Sequence, residues 1–217
     1  MSKFSSSRRL QNDIAVHEEN SDHRIPPDMY YVLFIEISGD ASAISVAHTV
    51  KGWLKNKKEH QILVAYVYKN EIYLLFSSIE DGEHYLKGSH QALCSEYASL
   101  AAMEFHSKIN VRIIELESRT KILVYFQTKI FENAKRSAQL LSKTTLSKKE
   151  INQLTFGEII TALQERASIK WDEILPGERF GTFYKYVVKD NKEKFSTLAE
   201  MIDMQDVSKY TSYLFEG

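Results

Sequence analysis

One cysteine, three prolines and eight glycines are the whole supply of those residues in 217 positions, and each shortage closes off a class of protein. With Cys94 alone, no disulfide can form within the chain and no cysteine-rich zinc site can be built. Cys94 lies among small and apolar residues of a helical stretch, where a thiol acts as a packed small hydrophobe. The few glycines form no phosphate-cradling loop, and no Ser/His/Asp arrangement for nucleophilic catalysis is present. The seven histidines show no ligand spacing; His84, His90 and His106 read as surface or helix-end residues. No apolar run approaches the roughly 18 residues of a membrane helix. Arg8 and Arg9 stand among serines without the apolar centre of a secretory signal. A reducing, cytoplasmic (intracellular) setting with no membrane association is the resulting expectation. An excess of one charge is lacking too. With 28 Lys and Arg against 29 Asp and Glu, the net charge is −1, so an RNA partner would have to be held by a local patch.

What is present is ordinary for a globular chain: 43% hydrophobic and 26% charged residues, enough to bury a core. Residues 1–24 are polar and poor in aromatics and read as a flexible N-terminal arm. Pro26-Pro27 then forces an extended entry. Residues 30–37 are a continuous apolar run, the pattern of a buried central strand. Residues 41–55 carry Ile44, Val46, Ala47, Val50 and Leu54 at helical spacing. Two apolar segments, 62–68 and 72–76, flank Lys69-Asn70-Glu71, which reads as a tight hairpin. Residues 89–109 predict a long helix capped by Ser89, with Leu93, Tyr97, Leu100, Ala101 and Phe105 on one face. A strand over 111–116 and a helix over 119–143 follow, the start of that helix blurred by the β-rich piece 122–126. Ser147…Glu150 and Thr155…Glu158 are two successive capping boxes. Pro176-Gly177 reads as a turn, 180–188 as a last strand and 192–203 as a terminal helix.

The order strand, helix, hairpin, long helix, strand resembles the palm of nucleotide polymerases and cyclases. The expected fold class is α+β: a βαββαβ antiparallel sheet with helices on one face, plus a small helical C-terminal region. Residues 25–145 would form the palm-like domain, and 146–217 a helical region with a closing strand packed on it.

Three blocks narrow the resemblance. Within 83–105, Ser95, Ala98, Ser99, Ala101 and Phe105 follow a glycine-bearing turn. Tyr125-Phe126, Lys129, Lys135-Arg136-Ser137 and Leu146-Ser147 form the second block. Ile169-Lys170-Trp171-Asp172, Leu175-Pro176 and Arg179-Phe180-Gly181-Thr182-Phe183 form the third. In this order the blocks resemble the tRNA-histidine guanylyltransferase family, the 3′–5′ reverse polymerases, in its bacterial or phage-like type. The resemblance implies two-metal phosphoryl transfer that adds a nucleotide to the 5′ end of tRNA. It also implies Mg²⁺ and GTP or ATP as cofactors, tRNA or another RNA as partner, and a homo- or hetero-oligomer with a homologous chain. Two Mg²⁺ ions about 4 Å apart require anionic oxygens around them.

The family places an Asp-Gly after the first palm strand and a Ser-Asp-Glu at the hairpin. This chain has Ile35-Glu36-Ile37 and Lys69-Asn70-Glu71 there, with 33 residues between Glu36 and Asn70, a shorter interval than the family's. Glu36, Asn70 and Glu71 are therefore the residual metal candidates. Glu36 is one methylene longer than aspartate, Ile37 replaces a bare glycine, and Asn70 offers a neutral oxygen where an anion belongs. Loss of about 3–4 kcal/mol of electrostatic stabilisation would slow a reaction several hundred-fold. On local grounds alone, Asn70 and Glu71 are simply hairpin residues.

Between Lys121 and Lys149 seven Lys or Arg face one acid, Glu132. Such a run is either a solvated helix face or a row of phosphate contacts. By the resemblance, Lys129, Lys135, Arg136 and Ser137 are nucleotide- or phosphate-binding candidates, and Lys143, Lys148 and Lys149 are RNA-binding candidates. The expected function is that of a degenerate guanylyltransferase-like subunit that binds tRNA or nucleotide and assembles with itself or an active homologue. The alternative is an active 3′–5′ nucleotidyltransferase using Glu36 and Glu71. A palm-like module with a signalling role is a third reading.

Overall fold

The computed structural model describes residues 23–39, 41–56, 61–79, 84–189, 192–198 and 207–215. Most of the expected arm, residues 1–22, lies outside the described residues.

Six strands form one antiparallel sheet in the order β4-β1-β3-β2-β5-β6. They are β1 (Tyr30–Ile37), β2 (Ile62–Tyr68), β3 (Glu71–Phe76), β4 (Ile109–Leu116), β5 (Thr182–Lys189) and β6 (Lys192–Leu198). The helices are α1 (Ala43–Lys55), α2 (His90–Phe105), α3 (Arg119–Ser142), α4 (Lys148–Gln153), α5 (Phe156–Ala167), α6 (Pro176–Phe180) and α7 (Val207–Phe215). The first four strands with α1 and α2 are the expected βαββαβ unit. β1 is apolar on both sides because it is central, paired with β3 and β4 and covered on both faces.

The alternation of side chains sorts β1 into two cores. Tyr31, Leu33, Ile35 and Ile37 pack with Val46, Val50 and Leu54 of α1 and with Leu93, Tyr97 and Ala101 of α2. Val32 and Phe34 face the other way, beneath Ile122, Phe126 and Ile130 of α3. The helices of the βαββαβ unit thus share one face, and α3 with Leu214 of α7 closes the opposite one. The second half of α3 continues past the sheet and packs Ala134 and Ala138 against Ile159, Leu163 and Trp171. Both capping boxes form: the Ser147 and Thr155 hydroxyls accept from the Glu150 and Glu158 amides, and each glutamate accepts from its cap amide.

Three sequence expectations need correction. Residues 192–198 are a strand, not the start of a terminal helix; β6 pairs with β5 from Lys189↔Lys192 to Phe183↔Leu198. The i, i+3 spacing of Phe195 and Leu198 suited a helix, but the open edge of β5 supplies a ladder that local periodicity cannot register. Pro176 begins α6 rather than a plain turn, because a proline at the first helical position loses no hydrogen bond. His84 is buried, at 4% exposure, with its Nε2 2.9 Å from the Pro26 carbonyl oxygen.

The closing element is fixed by one aromatic ring. Tyr66 donates its hydroxyl hydrogen to the Phe180 carbonyl and accepts from Asn133 Nδ2 at 2.9 Å. Gly181, at φ +85°, lies flat on this ring; a Cβ there would sit 2.6 Å from Tyr66 Cε2. Only glycine meets both demands.

Candidate functional site

The site is built at the β2–β3 hairpin, on the sheet face beneath α3. Register places Glu36 directly opposite Glu71 on one side and opposite Asn110 on the other. Asn110 Nδ2 donates to Glu36 Oε2 at 3.4 Å. Glu71 is already engaged twice: Oε2 accepts from the Tyr73 hydroxyl at 2.7 Å, and Oε1 receives the Arg136 guanidinium. Burial opposes the charge on Arg136, but the hydrogen bond and negative charge of Glu71 prevail and hold its pKa above the ordinary value. Burial, with Glu71 as hydrogen-bond acceptor, pushes the Tyr73 hydroxyl far up, so it stays a donor at any working pH.

The hairpin itself is pinned. Lys69 takes φ +51°, as a two-residue turn requires. The Ile37 amide donates to the Asn70 carbonyl at 2.9 Å, and Asn70 Nδ2 donates to the Gly39 carbonyl. Asn70 therefore ties the hairpin to the loop after β1. The Ile37 side chain is buried in the core beneath α1 and α2, where a glycine would leave a gap.

Beside this cluster opens a pocket of about 620 Å³ between α1, the ends of β2 and β5, the second half of α3 and the start of α6. Val67, Leu141, Ile174 and Tyr184 give it apolar walls; Lys69, Ser137, Glu178 and Thr182 are its polar lining. Ser137 Oγ donates to the Glu178 backbone carbonyl at 2.8 Å, which holds α6 against α3. Desolvation lowers the Lys69 pKa, and repulsion from Arg136 and then Lys143 lowers it further. Lys69, in the pocket lining, thus has two further cations near it, Arg136 on α3 and Lys143 at the C-terminal cap of that helix, with Glu178 and Glu71 offsetting them in part.

The structure therefore brings together Glu36, Asn70, Glu71, Arg136, Ser137 and Lys143. Lys129 sits apart, paired to Glu132 at 2.7 Å and within 5.8 Å of the Tyr125 ring centre. Lys135, Lys148 and Lys149 are exposed and do not line the pocket. Sequence reasoning missed Lys69 as a phosphate candidate, having read it only as a turn residue. It also missed Arg112, whose guanidinium lies 4.5 Å from the Phe34 ring centre.

These residues do not fit a two-magnesium site. Mg²⁺ pairs need several anionic oxygens. Here Glu71 is neutralised by Arg136, Asn70 is neutral, and Glu36 is the one remaining carboxylate of the three candidates.

No family model matches the sequence, and no curated protein matches it. Solved structures do. A bacterial tRNA(His) guanylyltransferase-like protein in complex with ATP aligns with a TM-score of 0.77 at 12% identity, covering 95% of this chain and 99% of that one. A bacterial protein of the same description in complex with GTP gives a TM-score of 0.73 at 15% identity over 95% and 99% of the two chains. The tRNA(His) guanylyltransferase of Saccharomyces cerevisiae gives 0.58 at 13% identity over 83% and 94%. Across nearly its whole length, this chain has the fold of the bacterial tRNA(His) guanylyltransferase-like proteins.

Proposed function

We propose that the protein binds a nucleoside triphosphate, or the 5′-phosphate end of an RNA such as tRNA, without performing two-metal nucleotidyl transfer on its own. The observation that carries this reading is the pairing of Arg136 with Glu71 beside the pocket that Lys69 lines. A guanidinium occupies the carboxylate that would otherwise hold a metal, and Lys69 and Lys143 add positive charge close to it, against Glu178 on the pocket wall. A lysine desolvated and repelled by neighbouring positive groups, as Lys69 is by Arg136 and Lys143, gains when an anion binds beside it. The pocket volume lies within the range of small-molecule sites, with apolar walls for a base and Lys69 in its lining for a phosphate. The similar structures crystallised with ATP and with GTP support a nucleotide as the ligand.

In this reading Arg136 and Lys143 hold phosphate oxygens, with Lys69 beside them, while Ser137 and Glu178 fix the pocket wall. Lys148 and Lys149 extend the basic surface toward RNA. Chemistry at the 5′ end is then supplied by a homologous chain assembled with this one. Among the described residues, no helix is long and apolar enough to cross a membrane. The test is nucleotide addition to a 5′-activated tRNA with Mg²⁺ or Mn²⁺, comparing the wild type with Glu36→Ala. The expected outcome is no addition by either chain alone. Addition abolished by Glu36→Ala would instead establish an active enzyme built on the two surviving carboxylates.

A further inference from the structure

On the opposite face of the sheet, His23, His90 and Glu115 come together from three separate segments. Their ligand atoms all lie within 4.8 Å of one another, the only such His/Cys/Asp/Glu group of three among the described residues. Glu115 Oε1 is 2.7 Å from His23 Nε2 and 2.8 Å from His90 Nε2, and the two rings meet edge to face at 4.5 Å.

The backbone holds this cluster in place. His90 is the first residue of α2, and its amide donates to the His23 carbonyl at 3.0 Å. The Ile25 amide donates to the Gly88 carbonyl at 3.0 Å, and Arg24 bridges to Ser89. Gly88 permits this approach: a Cβ there would stand 3.1 Å from the Ile25 carbonyl oxygen. Glu115 projects from β4 toward the α1 and α2 side, two residues beyond Ile113.

One nitrogen is left over. His90 Nε2 is shut off from solvent and makes no hydrogen bond, although the Glu115 oxygen is 2.8 Å away. That contact falls off the ring's hydrogen-bonding direction. A buried nitrogen that touches a carboxylate without a hydrogen bond calls for an explanation, and an ion seated between the two groups is one of the few that apply.

We infer that His23, His90 and Glu115 are a three-ligand site for a divalent transition-metal ion of the Zn²⁺ class. Two imidazole nitrogens and one carboxylate leave a fourth position for water, the ligand count of known His₂Glu zinc centres. Ligands at about 2.0–2.1 Å around a tetrahedral ion stand roughly 3.3 Å apart, so the two glutamate contacts need open by only about half an ångström, and the two nitrogens already lie within 4.8 Å of each other. The side chains are 64%, 29% and 23% exposed for His23, His90 and Glu115, which leaves an entry path on the His23 side. The ion staples the segment before β1 to the start of α2 and the end of β4. It is independent of the nucleotide pocket.

The test is titration of the chelator-treated full chain with Zn²⁺ alone, without nucleotide, followed by calorimetry and thermal melting. Replacement by Co²⁺ adds visible absorption bands that report four- or five-fold coordination. The inference expects one equivalent bound, a raised Tm, and affinity at least about a hundredfold lower in His90→Ala and Glu115→Gln. His23→Ala, in a surface segment, keeps the fold and loses the Co²⁺ bands. Binding that is non-saturable, or equally tight in all three variants, overturns it.

Discussion

Asn133 and Arg136 lie three residues apart on α3 and both reach to the same sheet face, yet one sits in a buried neutral network and the other in a half-exposed charged one. Asn133 is 1% exposed and donates to Tyr66, whose hydroxyl goes on to the Phe180 carbonyl. The Arg136 side chain is 50% exposed and meets Glu71 beside a pocket with further positive charge. A neutral, desolvated network is worth most when complete, so it specifies how the C-terminal element closes. A charged pair open to solvent on its Arg136 side, with Glu71 14% exposed beneath it, leaves the guanidinium accessible to a ligand. The fold is thus held by residues other than those that would carry the function.

The sharpest way to break this contrast is at the closing end. Gly181→Ala adds a Cβ against the Tyr66 ring and forces alanine to φ +85°; a loss of about 2–4 kcal/mol is expected, read as a lowered urea midpoint. Asn133→Ala removes one partner of a buried hydroxyl and should cost about 1–3 kcal/mol with nucleotide affinity unchanged. Arg136→Ala should instead lower ATP or GTP affinity, measured by calorimetry, about tenfold or more, with a stability loss of about 1–3 kcal/mol because Glu71, 14% exposed, loses its counter-ion.

The smallest effect is at Lys69. Its folded pKa is lowered, so the charged form is strained in the fold at neutral pH and relieved as pH rises through the folded value. Lys69→Met should therefore raise stability slightly, by under about 0.5 kcal/mol after solvent screening, while weakening nucleotide binding. In the wild type, nucleotide binding should fall at a lower pH than an ordinary lysine would give, because Lys69 loses its proton earlier. A pH titration of affinity checks this, and Lys69→Arg should move the fall upward.

The sequence made the packing readable because packing repeats. The apolar run of β1, the helical spacing of Leu93, Tyr97 and Ala101, and the two capping boxes each carry a local signature. Gly181 was legible as part of a block, though not its reason, since Tyr66 lies 115 residues away in sequence. β6 was misread because its strand character comes from the edge of β5, and Asp190-Asn191, a turn signal between the two strands, went unweighed. α7 was not anticipated at all. At the candidate site, Glu36, Asn70, Glu71 and Arg136 were named from the sequence, but the Arg136–Glu71 pair was not. It joins residues 65 apart, and no pattern along the chain announces it. The same holds for His23, His90 and Glu115: the histidines show no ligand spacing along the chain, and nothing local marks Glu115 as their neighbour.

The central claim is that the cations of this site, not metal-binding carboxylates, hold the phosphates. It is tested most directly by the affinity for ATP and GTP in EDTA compared with excess Mg²⁺. A site made of Lys and Arg binds the free, more negative triphosphate at least as tightly as its magnesium complex, so the predicted affinity in EDTA equals or exceeds that in Mg²⁺ and drops in Arg136→Ala. Binding that requires Mg²⁺ and is lost in Glu36→Ala would contradict the account.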